Sequence, residues 1–248
     1  MSAISFAHAW ASTPERLAVA AAVTVCFALL ARGARGVSRS VALAGGLACF
    51  ALFAGAGPGA FATLAALFAA TWIGTRLGYR RKLELGLAER REGRNAGQVL
   101  ANLVVAAAAA LIFGVTGNEV WIMALVAALV EAATDTVASE IGQSRRRDAW
   151  MITSGARVPA GTDGGITFFG TAAGLAAGLA IAGLACVCGL VARRLIWIPV
   201  AAGFVGMLAD SLMGATIQRR GWIGNRGVNF WGTLIAAAMA YGIVMTMG

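Results

Sequence analysis

Apolar residues run through this chain in long, nearly unbroken stretches, with the polar residues gathered between them. Eight apolar spans result, at about 16–31, 37–55, 58–75, 97–116, 119–142, 167–191, 195–217 and 228–247. A helix needs roughly 20 such residues to cross a hydrocarbon core about 30 Å thick. The pattern therefore predicts an all-α, polytopic transmembrane bundle of about seven or eight spans, the first three being the shortest. No polar stretch is long enough to fold alone, so residues 1–248 read as a single membrane domain. Residues 16–75 form its N-terminal helices, 76–94 a basic loop and 95–248 a core that carries the polar motifs. Thr13-Pro14-Glu15 suits the cap and first turn of the opening span. That span is expected to be retained, because its arginines (Arg32, Arg35, Arg39) follow the apolar run rather than precede it.

Composition sharpens this picture and charge gives it a direction. The chain is 59% hydrophobic and only 12% charged, and its mean hydropathy is +0.78, which excludes an ordinary soluble domain. A net charge of +9 in a soluble protein would point to nucleic acid; here it resolves into sidedness, and no nucleic-acid partner is expected. Alternating the loops places 17 of the 20 cations on one side, leaving Arg16, Arg193 and Arg194 on the other. Excess Lys and Arg mark the cytoplasmic side. With eight spans both termini then lie outside, and every polar motif faces the cytoplasm. The basic loop would meet anionic lipid head groups. Heavy Ala, Gly and Arg usage with one lysine, Lys82, fits a bacterial inner membrane. Cys26, Cys49, Cys186 and Cys188 all fall in apolar runs and show no zinc or disulfide spacing. An oligomer is compatible with all of this.

The chemistry gathers around Glu131–Gln143, EAATDTVASEIGQ. Carboxylates inside a span normally face a cavity or a partner. Helical spacing puts Glu131, Asp135 and Ser139 on one face, with Glu140 about 140° away from Asp135. Asn95, Gln98 and Asn102 stripe the start of the fourth span, which suits an anionic ligand at a helix N-terminus or hydrogen bonds between helices. The loop from Arg157 to Gly165 contains Thr162-Asp163-Gly164-Gly165, either an anion-binding nest or a flexible connection; it is not a Walker loop. Span seven carries Asp210 and Ser211, with Gly214 and Gln218 on the same face. Asn225, Arg226 and Asn229 complete the polar positions.

These motifs repeat. TDTVASEIGQ (134–143) aligns with ADSLMGATIQ (209–218), and the run from Asp163 to Thr171 aligns with that from Asn225 to Thr233. Spans five–six and seven–eight thus read as tandem helix pairs, with three–four a degenerate third copy. The repeat predicts that Asp135 and Asp210 face one polar cleft at the cytoplasmic end.

Taken in order, RNAGQVLAN (94–102), TDTVASEIG (134–142), the run from Thr153 through Pro159 to GTDGGITFFGTAAG (161–174), ADSLMGATIQ (209–218) and RGVNFWGT (226–233) resemble a family of small integral membrane proteins. It includes the plant phytyl-phosphate kinase of chlorophyll-phytol salvage and the transmembrane protein 19-like proteins. The resemblance covers roughly residues 35–247. Thr134 and Val137 stand where the family usually has Ala and Trp, and neither change removes a reacting group.

The resemblance implies phosphoryl transfer from a nucleoside triphosphate, CTP or ATP with CTP favoured, to a prenyl phosphate lipid of phytyl or geranylgeranyl type. The product is the prenyl diphosphate. Such transfer rests on positioning and charge neutralisation, with Mg2+ as cofactor. The expected magnesium ligands are Asp135, Glu140 and Asp210, with Arg94 and Arg157 holding phosphates beside the two aspartates. Asn95, Gln98, Asn102, Ser139, Thr162, Asp163, Gly164, Gly165, Ser211, Gln218, Asn225, Arg226 and Asn229 are the expected substrate contacts. The prenyl chain would lie between Ala/Gly-rich helices. Two alternatives use the same residues: nucleotidyl transfer to a lipid phosphate, and a lipid or ion transporter built on Asp135 and Asp210. Against transport, the outer half of every span is almost purely apolar.

Overall fold

The computed structural model describes residues 5–33, 38–86, 95–144 and 149–247. Helices follow the apolar spans: α1 (Ser5–Ala11), α2 (Arg16–Gly33), α3 (Arg39–Arg76), α4 (Tyr79–Glu84), α5 (Ala96–Thr116), α6 (Val120–Ser144), α7 (Phe168–Val187), α8 (Trp197–Met213) and α9 (Asn225–Met247). Seven of the described helices are long and apolar enough to cross a membrane.

One of the seven, α3, is long enough for two crossings. A continuous helix of its 38 residues would reach about 57 Å, nearly twice the hydrocarbon core. It breaks at Gly57, whose φ of 82° and ψ of −168° suit glycine alone, and Pro58 opens the second half. Phe53 and Phe61, one turn either side of the break, stack with ring centroids 5.6 Å apart. Val41 and Ala42 line the same cavity as Thr71 and Trp72. The halves therefore lie side by side as a hairpin, matching the expected spans at 37–55 and 58–75. The Trp10 ring packs against Gly57, and its Nε1 donates to Phe53 O at 2.6 Å.

The central helix is α6, buried along almost its whole first half and flanked by α3, α5, α7, α8 and α9. Small residues let its neighbours approach. Gly170, Gly174 and Gly178 of α7 form an i, i+4, i+8 stripe against Ala138, Thr134 and Val130 of α6. Within α8, Gly203 and Gly206 press on Val130 and Glu131 in the same way.

Polar groups segregate to one end of this bundle, here termed the site end. Among the described cations, Arg76, Arg157, Arg219, Arg220 and Arg226 lie there, while Arg16, Arg193 and Arg194 lie at the far end. The far end also holds α1, where His8 Nε2 lies 3.4 Å from Glu119 Oε1.

Two features depart from the expected picture. The connection between α6 and α7 is a small antiparallel sheet, not a simple loop. Strand β1 (Ala149–Met151) sits between β2 (Arg157–Val158) and β3 (Gly165–Ile166), with Trp150 opposite both Arg157 and Ile166. Part of the basic loop packs on the protein and not on lipid head groups, since α4 folds back under the end of α6. Gly78, at φ 66°, makes the turn so closely that a Cβ there would lie 2.6 Å from Ser144 Cβ.

Candidate functional site

A polar cavity of about 140 Å³ opens at the site end between α6, α7, α8 and the sheet loop. Asp135, Ser139 and Gln143 enter it from successive turns of α6. Asp210 and Ser211 enter from α8, and Gln218 from the π-helical turn Gly214–Gln218 that follows. The loop contributes Thr162, Asp163, Gly164 and Gly165, and α9 opens with Asn225. Repeat-related residues thus meet in pairs: Asp135 with Asp210, Gln143 with Gln218, Asp163 with Asn225.

Local chemistry fixes the loop. The Thr162 hydroxyl donates to Pro159 O at 2.7 Å, Gly165 N–H to Thr162 O at 2.8 Å and Ile152 N–H to Gly164 O at 3.0 Å. Thr167 caps α7, its Oγ1 accepting from Gly170 N–H at 3.0 Å. Gly164 has φ 76° and lies so near Ala215 that a Cβ would come within 2.6 Å of Ala215 Cα. Gly164→Ala is therefore expected to push the loop off the π turn. It should impair any activity of this cavity by about 10²-fold, as ångström-scale misplacement does, while the helical circular dichroism stays unchanged. Full activity in that variant would show that the loop does not shape the site.

Carboxylates gather at this cavity. Glu131, Asp135 and Asp210 lie close enough to feel one another's charge, and Asp163 lies close to Asp210 as well. Glu131 is 1% exposed and sits in a hollow between two glycines. A methyl group on Gly232 would come within 2.5 Å of its Oε1, and one on Gly206 within 2.6 Å of its Cγ. Glu131 Oε1 and Asp210 Oδ2 are buried without a hydrogen-bond partner. Buried polar atoms are normally satisfied, so these two mark a place where a cation or donor fits. Among the described residues no cationic side chain lines the cavity, and no three acidic or sulfur and imidazole groups enclose a metal by themselves. Two carboxylates completed by phosphate oxygens and water are what magnesium prefers, and Asp135 with Asp210 fit that pattern.

Glu140 does not belong to this set. It points away from the cavity into a buried ion pair with Lys82, and its Oε1 accepts from Thr75 Oγ1 at 3.2 Å. The 140° helical offset from Asp135 is realised without distortion. The polar start of α5 also differs from the expectation. Asn95 and Gln98 cap their own helix, Asn95 N–H donating to Gln98 Oε1 and Gln98 N–H to Asn95 Oδ1. Asn102 lines a different, apolar cavity. Arg157 is exposed on β2, and Arg226 is exposed over Gly97. Asn229 is buried on α9, outside the cavity lining. Arg94 lies outside the described residues. Conversely, Gln143, Thr167 and Thr171 line the cavity without having been singled out. The repeat alignment already held the signal for two of them, pairing Gln143 with Gln218 and Thr171 with Thr233.

The profile of an integral membrane protein family, DUF92, matches residues 22–237. The chain belongs to that family. It is the family to which the ordered polar motifs pointed. An uncharacterized membrane protein of Synechocystis sp. is 37% identical over 177 residues, 69% of each chain. Protein VTE6, chloroplastic, of Arabidopsis thaliana is 29% identical over 182 residues, covering 70% of this chain and 55% of the relative. An uncharacterized membrane protein of Methanocaldococcus jannaschii is 31% identical over 154 residues, 62% of this chain and 64% of its own. No solved structure matches the chain.

Proposed function

We propose that this DUF92 protein is a membrane kinase of isoprenoid monophosphates. It would move a phosphoryl group from a nucleoside triphosphate, with CTP as the favoured donor, to a phytyl- or geranylgeranyl-type phosphate. The observation that carries this reading is the convergence of Asp135 and Asp210, one from each repeat, beneath a glycine-bearing loop at the site end of the helices. The family resemblance supports this substrate class, and the positive-inside count supports a cytoplasmic position for the cavity.

Asp135 and Asp210 would hold Mg2+, with Glu131 close behind them. When bound, the ion neutralises charge on the donor phosphates. Ser139, Ser211, Gln143, Gln218 and Asn225 would orient the phosphates by hydrogen bonds, and Arg226 would meet them at the rim. An oxygen of the acceptor monophosphate attacks the γ-phosphorus. The bond to the β–γ bridging oxygen breaks and the nucleoside diphosphate leaves. An ionised monophosphate has no proton to surrender at the attacking oxygen, so a lining that holds no His or Lys among the described residues is sufficient.

Purified protein supplied with geranylgeranyl or phytyl monophosphate, magnesium and each of four nucleoside triphosphates tests this directly. Prenyl diphosphate together with nucleoside diphosphate is the expected outcome by mass spectrometry. A nucleotide–lipid adduct with released pyrophosphate would replace the reading with nucleotidyl transfer.

A further inference from the structure

A second, larger cavity lies on another side of α6. Its volume of about 500 Å³ falls within the roughly 300–1,000 Å³ of small-molecule sites. The walls come from Phe27 on α2, Gly45 and Phe68 on the two halves of α3, and Leu103 on α5. Protein interiors pack with few voids larger than a water molecule, so an apolar hollow of this size calls for an occupant. Gly45 is half-buried, yet a Cβ there would meet nothing within 4 Å.

The lining changes character toward the site end. Thr71, Thr75, Arg76, Tyr79, Asn102 and Thr136 gather there. Among the described residues Arg76 is the only cation in the lining, and no carboxylate joins it. Its guanidinium lies 3.6 Å above the Trp72 ring, which holds the charge at the mouth. Thr136 adjoins Asp135 on α6, so the polar mouth and the acidic cavity lie at the same level on one helix.

We propose that this cavity holds the hydrocarbon chain of a single-chain anionic lipid, with its head group at the Arg76 end. One cavity with one cationic mouth matches one chain and one phosphate monoester. That the lipid is the prenyl monophosphate acceptor rests on the function proposed above. The helix α6 then stands between chain and donor, with Thr136 on the lipid side and Asp135 on the acidic side.

The test uses the full chain in lipid nanodiscs and geranylgeranyl monophosphate carrying a diazirine at the far end of its chain. After irradiation, mass spectrometry should place the label on peptides containing Phe27, Gly45, Phe68 or Leu103. Unlabelled geranylgeranyl phosphate should compete it away and phosphatidylglycerol should not. Gly45→Phe, which fills the open space, should lower labelling about tenfold. Gly183→Phe, equally open but on α7 away from the cavity, should leave it unchanged. Label confined to other helices, label displaced by phosphatidylglycerol, or no competed label at all would overturn the proposal, and the wild-type competition alone decides this if Gly45→Phe fails to fold. Correct labelling without prenyl diphosphate formation would instead remove the kinase reading and leave the lipid site standing.

Discussion

Asp135→Asn and Asp210→Asn are each expected to reduce phosphoryl transfer by about 10³-fold or more, roughly 4 kcal/mol of transition-state stabilisation. Each exchange keeps the side-chain shape and removes one charge from the pair that would hold magnesium. Asp210→Asn should also unfold at a higher temperature than the wild type when magnesium is absent. Glu131 Oε1 and Asp210 Oδ2 are buried without a hydrogen-bond partner, and an amide at position 210 brings an N–H donor to this pair of orphaned acceptors. Loss of activity with gain of stability separates a functional cluster from a structural one. Variants that lost stability along with turnover would instead show that these carboxylates hold the fold together. Normal turnover in both would remove the aspartates from the reaction.

Lys82→Met is expected to destabilise the protein by about 3–5 kcal/mol, the usual loss when one partner of a buried ion pair is removed. Lys82 is 1% exposed, and its ammonium has three acceptors: the carbonyls of Gly74 and Thr75 at 3.2 and 3.0 Å, and the Glu140 carboxylate. Those carbonyls belong to the last turn of α3, where the helix dipole favours a cation. The methionine variant leaves Glu140 with Thr75 Oγ1 as its one remaining hydrogen-bond donor among the described residues. Lys82→Met combined with Glu140→Gln should recover most of the loss, a coupling that thermal unfolding of the two single variants and the double would measure. Additive effects would show that the pair makes no joint contribution. Neither residue lines the acidic cavity, so turnover per folded molecule should change little.

The contrast between these two predictions shows where the sequence was legible. The membrane helices were readable because their apolar stretches leave no other way to satisfy the backbone in lipid. The meeting of Asp135 with Asp210 was readable because two copies of one motif, packed as pairs in the same sense, must bring equivalent residues together. Glu140 was assigned to the wrong neighbours because its partner lies 58 residues away, in a six-residue helix within a run of charges that reads as solvated. Nothing local marks Lys82 as buried. Asn95 and Gln98 had a local explanation, a reciprocal cap, that competed with the ligand reading and prevailed. The sheet of β1, β2 and β3 escaped notice because strands of two or three residues carry no measurable alternation.

The hollow around Glu131 bears on how such a chain arises. Aligning Asp135 with Asp210 sets Glu131 of one copy against Gly206 of the other, and Gly206 is the residue that makes room for the Glu131 side chain. The copies are therefore lock and key, not mirror images. A homodimer of one unfused repeat would place two glutamates in a space that accepts one. With the acid in one copy and the hollow in the other, neither half can stand in for its twin, and a single chain that carries both supplies one of each.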